Sequence, residues 1–245
     1  VLWLELGLDI PVSVNVGARQ LQQVDFVECL QSILVKHPQI NPNCLELEVL
    51  ETSALDDIAQ VSQVIEACDR MGVKFALDDF GTGYSSLTYL KRLSVDVLKI
   101  DQTFVRDMLD DPDDLAILEG VIGLANAFRR EVIAEGVETI EHGEMLLQLG
   151  CDLAQGYGIA RPMPADQLAD WVANWKAPES WTNCPKMNHA DLPLIYAMVE
   201  HRAWISALKR HLEGLQDAPP EMDHNQCRFG VMMENIRLSR PESHD

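Results

Sequence analysis

Val73-Lys74-Phe75-Ala76-Leu77-Asp78-Asp79-Phe80-Gly81-Thr82-Gly83 is the stretch on which the fold turns. A short apolar run ends in two adjacent carboxylates, and glycines then let the chain turn sharply over them. The same arrangement recurs along the chain. Asn15 ends Val12-Ser13-Val14, and Glu48 lies in Leu45-Glu46-Leu47-Glu48-Val49. Lys99 closes Val95-Asp96-Val97-Leu98, Glu135 ends Val132-Ile133-Ala134, and Gln155 ends Asp152-Leu153-Ala154. These runs predict strands at 12–16, 45–50, 73–78, 95–100, 131–135 and 152–156. Between them, Val61, Val64, Ile65, Cys68 and Met71 keep the spacing of one helical face, as do Leu115, Leu118, Val121, Ile122 and Ala125. Pro112-Asp113-Asp114 opens the latter with helix-start chemistry, and a final helix is expected from Pro164 to Trp175.

Strands alternating with helices predict an α/β fold with a parallel sheet and helices outside. If the strands belong to a barrel, their C-terminal ends share the face where such folds do chemistry. A closed (β/α)8 TIM-type barrel has eight strands, two more than the runs supply. The last βα unit is complete, and the opening Leu2-Trp3-Leu4-Glu5-Leu6 reads as the tail of a helix. The shortage of about two strands is therefore expected at the N-terminal side. An open doubly wound sheet ranks second, because no Gly-rich phosphate loop follows any strand at the right place.

With 245 residues, 47% of them apolar, the chain can bury a sizeable core. Its formal net charge of −20 argues against DNA or RNA binding, because phosphates would be repelled. One anionic ligand in a metal-loaded pocket is still compatible, since a bound cation reverses the local field. The six cysteines lie at 29, 44, 68, 151, 184 and 227, with no Cys-x-x-Cys pair. They point to a reducing, cytoplasmic compartment. No apolar run is long enough to span a membrane, and no signal peptide is visible.

Oxygen donors gathered round one ammonium suit hard divalent cations and phosphate-ester cleavage. Each residue also has a plainer use. Asp-Asp-Phe-Gly-Thr-Gly could be a polar loop capping a helix, Asn15 a turn residue, Lys99 a strand-end partner for a surface carboxylate, and Glu51 a helix-start charge.

Taken together, the motifs resemble the EAL family of cyclic di-GMP phosphodiesterases. The likeness runs from about Leu8 to Pro164. It is carried by Val12-Ser13-Val14-Asn15-Val16-Gly17-Ala18-Arg19-Gln20-Leu21, by Leu45-Glu46-Leu47-Glu48-Val49-Leu50-Glu51-Thr52 and by the Asp78-Asp79 stretch. Leu98-Lys99-Ile100-Asp101, Ala134-Glu135-Gly136-Val137-Glu138 and Ala154-Gln155-Gly156-Tyr157 through Pro164 complete it. The resemblance implies a barrel that hydrolyses cyclic di-GMP to the linear dinucleotide with Mg2+ or Mn2+. It assigns Asn15, Glu48, Asp78 and Asp79 to metal binding, and Lys99 and Glu135 to the attacking water. Gln155, Glu51 and Glu138 are assigned to site support, Glu51 by steadying the loop after Asp79.

Two features of the family pattern are missing. Its Glu-Ala-Leu strand, which supplies a metal-ligating glutamate and a phosphate-binding arginine, does not occur in this sequence. Gly17 stands where serine is usual. The missing strand belongs where the strand count falls short, so impaired hydrolysis is expected. A non-catalytic EAL module that senses cyclic di-GMP or binds a protein is the alternative, and a different barrel metallohydrolase ranks third.

The chain divides on this reading into a partial barrel at 1–176, a linker at 177–189 and a helical segment at 190–245. A helix over 190–214 would carry Leu194, Met198, His201, Ile205, Leu208 and Leu212 on one side. That stripe must pack on the barrel, on the final segment, or on a second copy in a homodimer. His201-Arg202-Ala203-Trp204 and Cys227-Arg228-Phe229-Gly230 resemble a zinc-binding module found on chemoreceptors. His201 and Cys227 match two of its ligands, and the later His-x-x-x-His pair is absent. His211, His224 or His244 could complete a Zn2+ site, which takes about four ligands. Little periodicity is read in the last twenty or so residues.

Overall fold

The computed structural model describes residues 2–83, 87–188, 190–223 and 226–239. Six parallel strands lie side by side in chain order: β1 Val12–Asn15, β2 Leu45–Leu50, β3 Lys74–Phe80, β4 Val97–Ile100, β5 Glu131–Ala134 and β6 Leu153–Ala154. They form half of a barrel. Among the described residues β1 and β6 are its two edges and do not pair with each other.

The helices are α1 Leu2–Glu5, α2 Ala18–Leu21, α3 Phe26–Lys36, α4 Glu51–Asp56, α5 Ile58–Asp69, α6 Leu87–Arg92 and α7 Gln102–Asp107. Then follow α8 Pro112–Phe128, α9 Ile140–Leu149, α10 Leu168–Asn174, α11 Glu179–Thr182, α12 Leu192–Leu212 and α13 Arg228–Ser239. Cap chemistry sets several starts. Asp57 accepts from Gln60 N–H, Asp111 from Asp113 N–H and Thr139 from His142 N–H, opening α5, α8 and α9. Gly150, at φ +88°, ends α9 in the left-handed conformation that glycine adopts without strain.

Alternation along the strands separates a dry face from a polar one. Leu47, Val49, Phe75, Leu77, Leu98 and Ile100 join Ile65, Leu115, Leu118 and Ile122 of the helices in the core. Glu46, Glu48, Asp78 and Lys99 alternate with them and face the hollow of the half-barrel. Burying such a Leu or Val side chain is worth about 1.5–3 kcal/mol each.

Three expectations shift. Strand ends differ by at most two residues, and the last barrel helix starts at Leu168 rather than Pro164. The 190–214 helix is present as α12, but Leu194, Met198 and Leu212 of its presumed buried stripe are exposed. The buried residues are Ile195, Ala197, Val199 and Glu200, and Ile195 and Val199 join the barrel's own core cluster. Tertiary packing against α8 chose a different face, fixed by Tyr196 Oη–H donating to Glu119 at 2.7 Å and by Arg202 pairing with Asp110 at 3.2 Å. Third, the final segment contains α13. Arg228 ties that helix to Glu200 at 3.0 Å and to Asp113 at 3.2 Å.

The 177–189 segment holds the short helix α11. Trp181 donates its indole N–H to the Ile140 carbonyl at 2.9 Å, and the Met187 backbone N–H reaches Gln148 at 3.3 Å. The segment lies along α9 as a strap.

Candidate active site

The parallel register brings the strand ends together. Asn15 lies opposite Glu48, and Lys99 opposite Ile133, one residue before Ala134 and two before Glu135. Lys99 Nζ stands 3.0 Å from Glu48 Oε1, 3.2 Å from Asp78 Oδ1 and 2.5 Å from Glu135 Oε1. Gln155 donates to the same Glu135 oxygen at 2.6 Å. Carboxylates from β2, β3 and the end of β5 thus meet round an ammonium from β4, as the strand-end reading expects.

Strict alternation would send Asp78 and Asp79 to opposite faces of β3. The β3–β4 pairing shifts register between Leu77 and Phe80, and Asp79 takes φ +55°. This bulge turns both carboxylates to one side. Asp tolerates the left-handed conformation better than most residues. As a result, oxygen atoms of Asp78, Asp79 and Glu135 lie within 4.8 Å of one another.

Glu51, fully buried at the start of α4, accepts from the Gly81 backbone N–H at 3.0 Å and so holds the turn after Asp79. Glu138 lines a cleft of about 540 Å3 together with Gln102, Glu135, Gln155, Tyr157 and Arg161. Arg161 sits over the exposed Tyr157 ring at 5.0 Å. Asp101 is a residue that the sequence reading passed over. It faces Asp79 and accepts from Thr103 N–H at 2.8 Å, capping α7. An Asp just before a helix was the available signal.

The electrostatics are those of a dry acidic pocket. Burial pushes the Asp79 carboxyl up, and neighbouring Asp101 and Asp78 add to it. Burial also raises Glu135, with Lys99 opposing and Asp78 and Glu48 adding. Burial works against the Lys99 ammonium, but hydrogen bonds to Glu135 and Glu48 and the charge of Asp78 outweigh it, so its pKa is held above the usual lysine value. Asp78 Oδ1 is buried and has no hydrogen-bond partner among the described residues. That oxygen has only the Lys99 ammonium at 3.2 Å, and the carboxylates of Asp78, Asp79 and Glu135 gathered there fit a hard divalent cation, whose ligands are oxygens. One ammonium leaves the set of Glu48, Asp78, Asp79 and Glu135 with excess negative charge.

The model for the EAL domain matches residues 2–162. The chain belongs to the EAL domain family. Among curated relatives, MucR of Pseudomonas aeruginosa, a bifunctional diguanylate cyclase/cyclic di-GMP phosphodiesterase, is 42% identical over 173 residues, 70% of this chain and 25% of that protein. The cyclic di-GMP phosphodiesterase PA2567 of the same species is 37% identical over 171 residues, 69% of this chain and 29% of its own length. The chain therefore spans about a quarter of the curated relatives it matches. Among solved structures, the PaMucR phosphodiesterase in complex with c-di-GMP superposes with TM-score 0.65 at 42% identity, covering 68% of each chain. The EAL domain of Mycobacterium smegmatis DcpA gives TM-score 0.67 at 37% identity, covering 72% of this chain and 79% of that one.

The tail residues are placed as follows. His201 is exposed on α12, its ring 4.8 Å from that of Phe229. Cys227 lies just before α13, where its sulfur accepts from Gly230 N–H at 3.2 Å. His224 and His244 lie outside the described residues. Among the described residues, Asp78, Asp79 and Glu135 form the one group of three or more acidic, histidine or cysteine ligands close enough to share a metal. No helix among them is long and apolar enough to cross a membrane.

Proposed function

We propose that this chain carries the catalytic face of a cyclic di-GMP phosphodiesterase that opens one phosphodiester to the linear dinucleotide. The observation that carries the reading is Lys99, held by Glu48, Asp78 and Glu135 beside Asp79 at the C-terminal ends of parallel strands. Asp78 and Asp79 would hold Mg2+ or Mn2+, with Glu48 and Asn15 alongside. A bound divalent cation supplies Lewis acidity that neutralises charge building on the phosphoryl oxygens. Lys99 adds fixed positive charge at the same place, at no reorganisation cost during reaction. Both contacts of Glu135 fall on Oε1, so its other oxygen is the one turned to take a proton from attacking water. Gln155 fixes that carboxylate, and Glu51 fixes the turn that presents Asp79.

The second reading, a cyclic di-GMP sensor, is favoured by one observation: these 245 residues contain no Glu-Ala-Leu segment and so lack the family's glutamate ligand and phosphate-binding arginine. These residues on their own would turn over slowly without that glutamate and arginine. Residues 1–176 form the functional barrel unit on this proposal, with 190–245 as its appendage. Incubating the chain with cyclic di-GMP and Mn2+ and separating the products by chromatography tests it. Linear dinucleotide formed by wild type and not by Asp78→Asn supports hydrolysis. Binding without product supports the sensor, and neither binding nor product overturns both readings.

A further inference from the structure

Helix α12 has three faces, and two of them are taken. On one, Tyr196 bonds Glu119 of α8 at 2.7 Å, with Ile195 and Val199 buried beside it. On another, Glu200 pairs with Arg228 of α13 at 3.0 Å, and the His201 ring lies 4.8 Å from that of Phe229. The third face carries Leu194, Met198, Ile205, Leu208 and Leu212, with His201 at its edge. Leu194 is 39%, Met198 63% and Leu212 76% exposed, while Ile205 and Leu208 are half-buried. The six positions follow one another in steps of four, three, four, three and four residues. That alternation is the heptad spacing of a coiled-coil seam, and a stripe of this kind is completed by a facing helix.

We propose that this stripe is a homodimer seam, on which α12 of a second copy of the chain packs antiparallel. The partner follows from symmetry. The steps read the same in both directions about Ala203. In an antiparallel pair, Leu194 of one copy therefore meets Leu212 of the other, Met198 meets Leu208, and His201 meets Ile205. Such a surface is complementary to itself, as a two-fold interface requires. The charges agree with that direction. Lys209 and Arg210 are exposed in the last turn, and Asp191 is exposed at the start of the helix. Antiparallel packing brings the basic end of each helix beside the acidic start of the other and sets their dipoles head to tail; parallel packing would crowd the basic ends together. A net charge of −20 disfavours an anionic membrane surface as the alternative cover. Because α8 and α13 already hold the helix in place, pairing orders little that was free. The polar His201 ring costs some stability at the centre and helps to fix the register. No residue of the acidic site takes part, so the seam stands apart from the phosphodiesterase reading.

Sedimentation of the full chain from about 1 µM to about 0.1 mM measures the dimer, with circular dichroism to check that each variant is folded. Wild type should dimerise within that range. Leu194→Lys and Leu212→Glu, both at exposed positions, should each weaken the dimer at least about tenfold. The double variant should recover most of that loss, because only the antiparallel register sets each new ammonium against a new carboxylate across the seam. Val24→Glu, at a 98% exposed position before α3, should leave the dimer unchanged. A chain that stays monomeric throughout overturns the dimer and leaves the stripe to a helix of another protein. A dimer indifferent to both single changes, or weakened as much by Val24→Glu, overturns the seam. Loss in the single variants without recovery in the double one overturns the antiparallel register.

Discussion

Adding one methyl group to α9 should destabilise the native chain and stabilise a variant that lacks Trp181. A Cβ on Gly143 would lie 2.3 Å from Trp181 Cε2, 2.4 Å from Cζ2 and 2.7 Å from Nε1. Non-bonded carbons settle at about 3.5–4.0 Å, so the indole must withdraw by more than about 1 Å. It then gives up the 2.9 Å bond to the Ile140 carbonyl, worth about 1 kcal/mol net. Overpacking of this kind costs about 1–3 kcal/mol, while alanine gains about 1 kcal/mol over glycine inside a helix. Gly143→Ala alone should therefore destabilise by about 1–3 kcal/mol. With Trp181→Ala in place the collision is gone, and the same change should stabilise by about 1 kcal/mol. The sign reverses, and the coupling across the cycle is about 2–4 kcal/mol. Urea unfolding of the four proteins at constant m-value measures it. If Gly143→Ala has the same effect in both backgrounds, Trp181 does not rest on α9, and 177–189 is a free linker after all.

Asp78→Asn removes the charge of a carboxylate that stands beside Asp79 and Glu135, so Mn2+ affinity measured by calorimetry should fall at least about tenfold. Gly156→Ala would press a Cβ to 2.3 Å from the Val137 backbone and should lower stability by about 3 kcal/mol, whereas Gly120→Ala meets open space inside α8 and should raise it by about 0.5–1 kcal/mol; urea midpoints decide both. Burial pushes Cys68 and Cys151 up to about 11, so a thiol reagent at pH 7 should reach these two only as fast as the chain opens. Because the folded His142 value is lowered while the unfolded one is ordinary, the unfolded chain binds more protons below about pH 6.5. Stability should therefore fall on acidification through that window, and by less in His142→Gln, as pH-dependent unfolding would show.

The fold was readable where local pattern and global role agree. Val73–Leu77 and Val95–Leu98 are short apolar runs, each with a single charged residue near its start, and a buried parallel strand accommodates them. The site was readable because strand ends in such sheets share a face. What pattern could not give was the bulge at Asp78–Asp79, which breaks the period of two, and its partner Asp101, which lies on another strand's loop. The tail misled for a different reason. Leu194, Met198 and Leu212 form the more regular stripe, but Glu119 of α8 and Asp110 just before it bond Tyr196 and Arg202, and α12 buries Ile195 and Val199 instead. Nor does composition distinguish a Pro- and Asn-containing linker from a strap that one tryptophan pins to a glycine.

The sheet runs from β1 to β6 with no strand out of turn. Space therefore repeats the order in which a ribosome would release the chain. Each βα unit can settle on the one already made, without waiting for a distant segment. The acidic face is then gathered in a fixed sequence: Glu48 emerges before Asp78 and Asp79, and only afterwards does Lys99 emerge to relieve their repulsion. A growing chain that has made β3 but not β4 holds carboxylates with no ammonium among them. That interval, during synthesis, is when a free divalent cation would do most to keep the half-built sheet together.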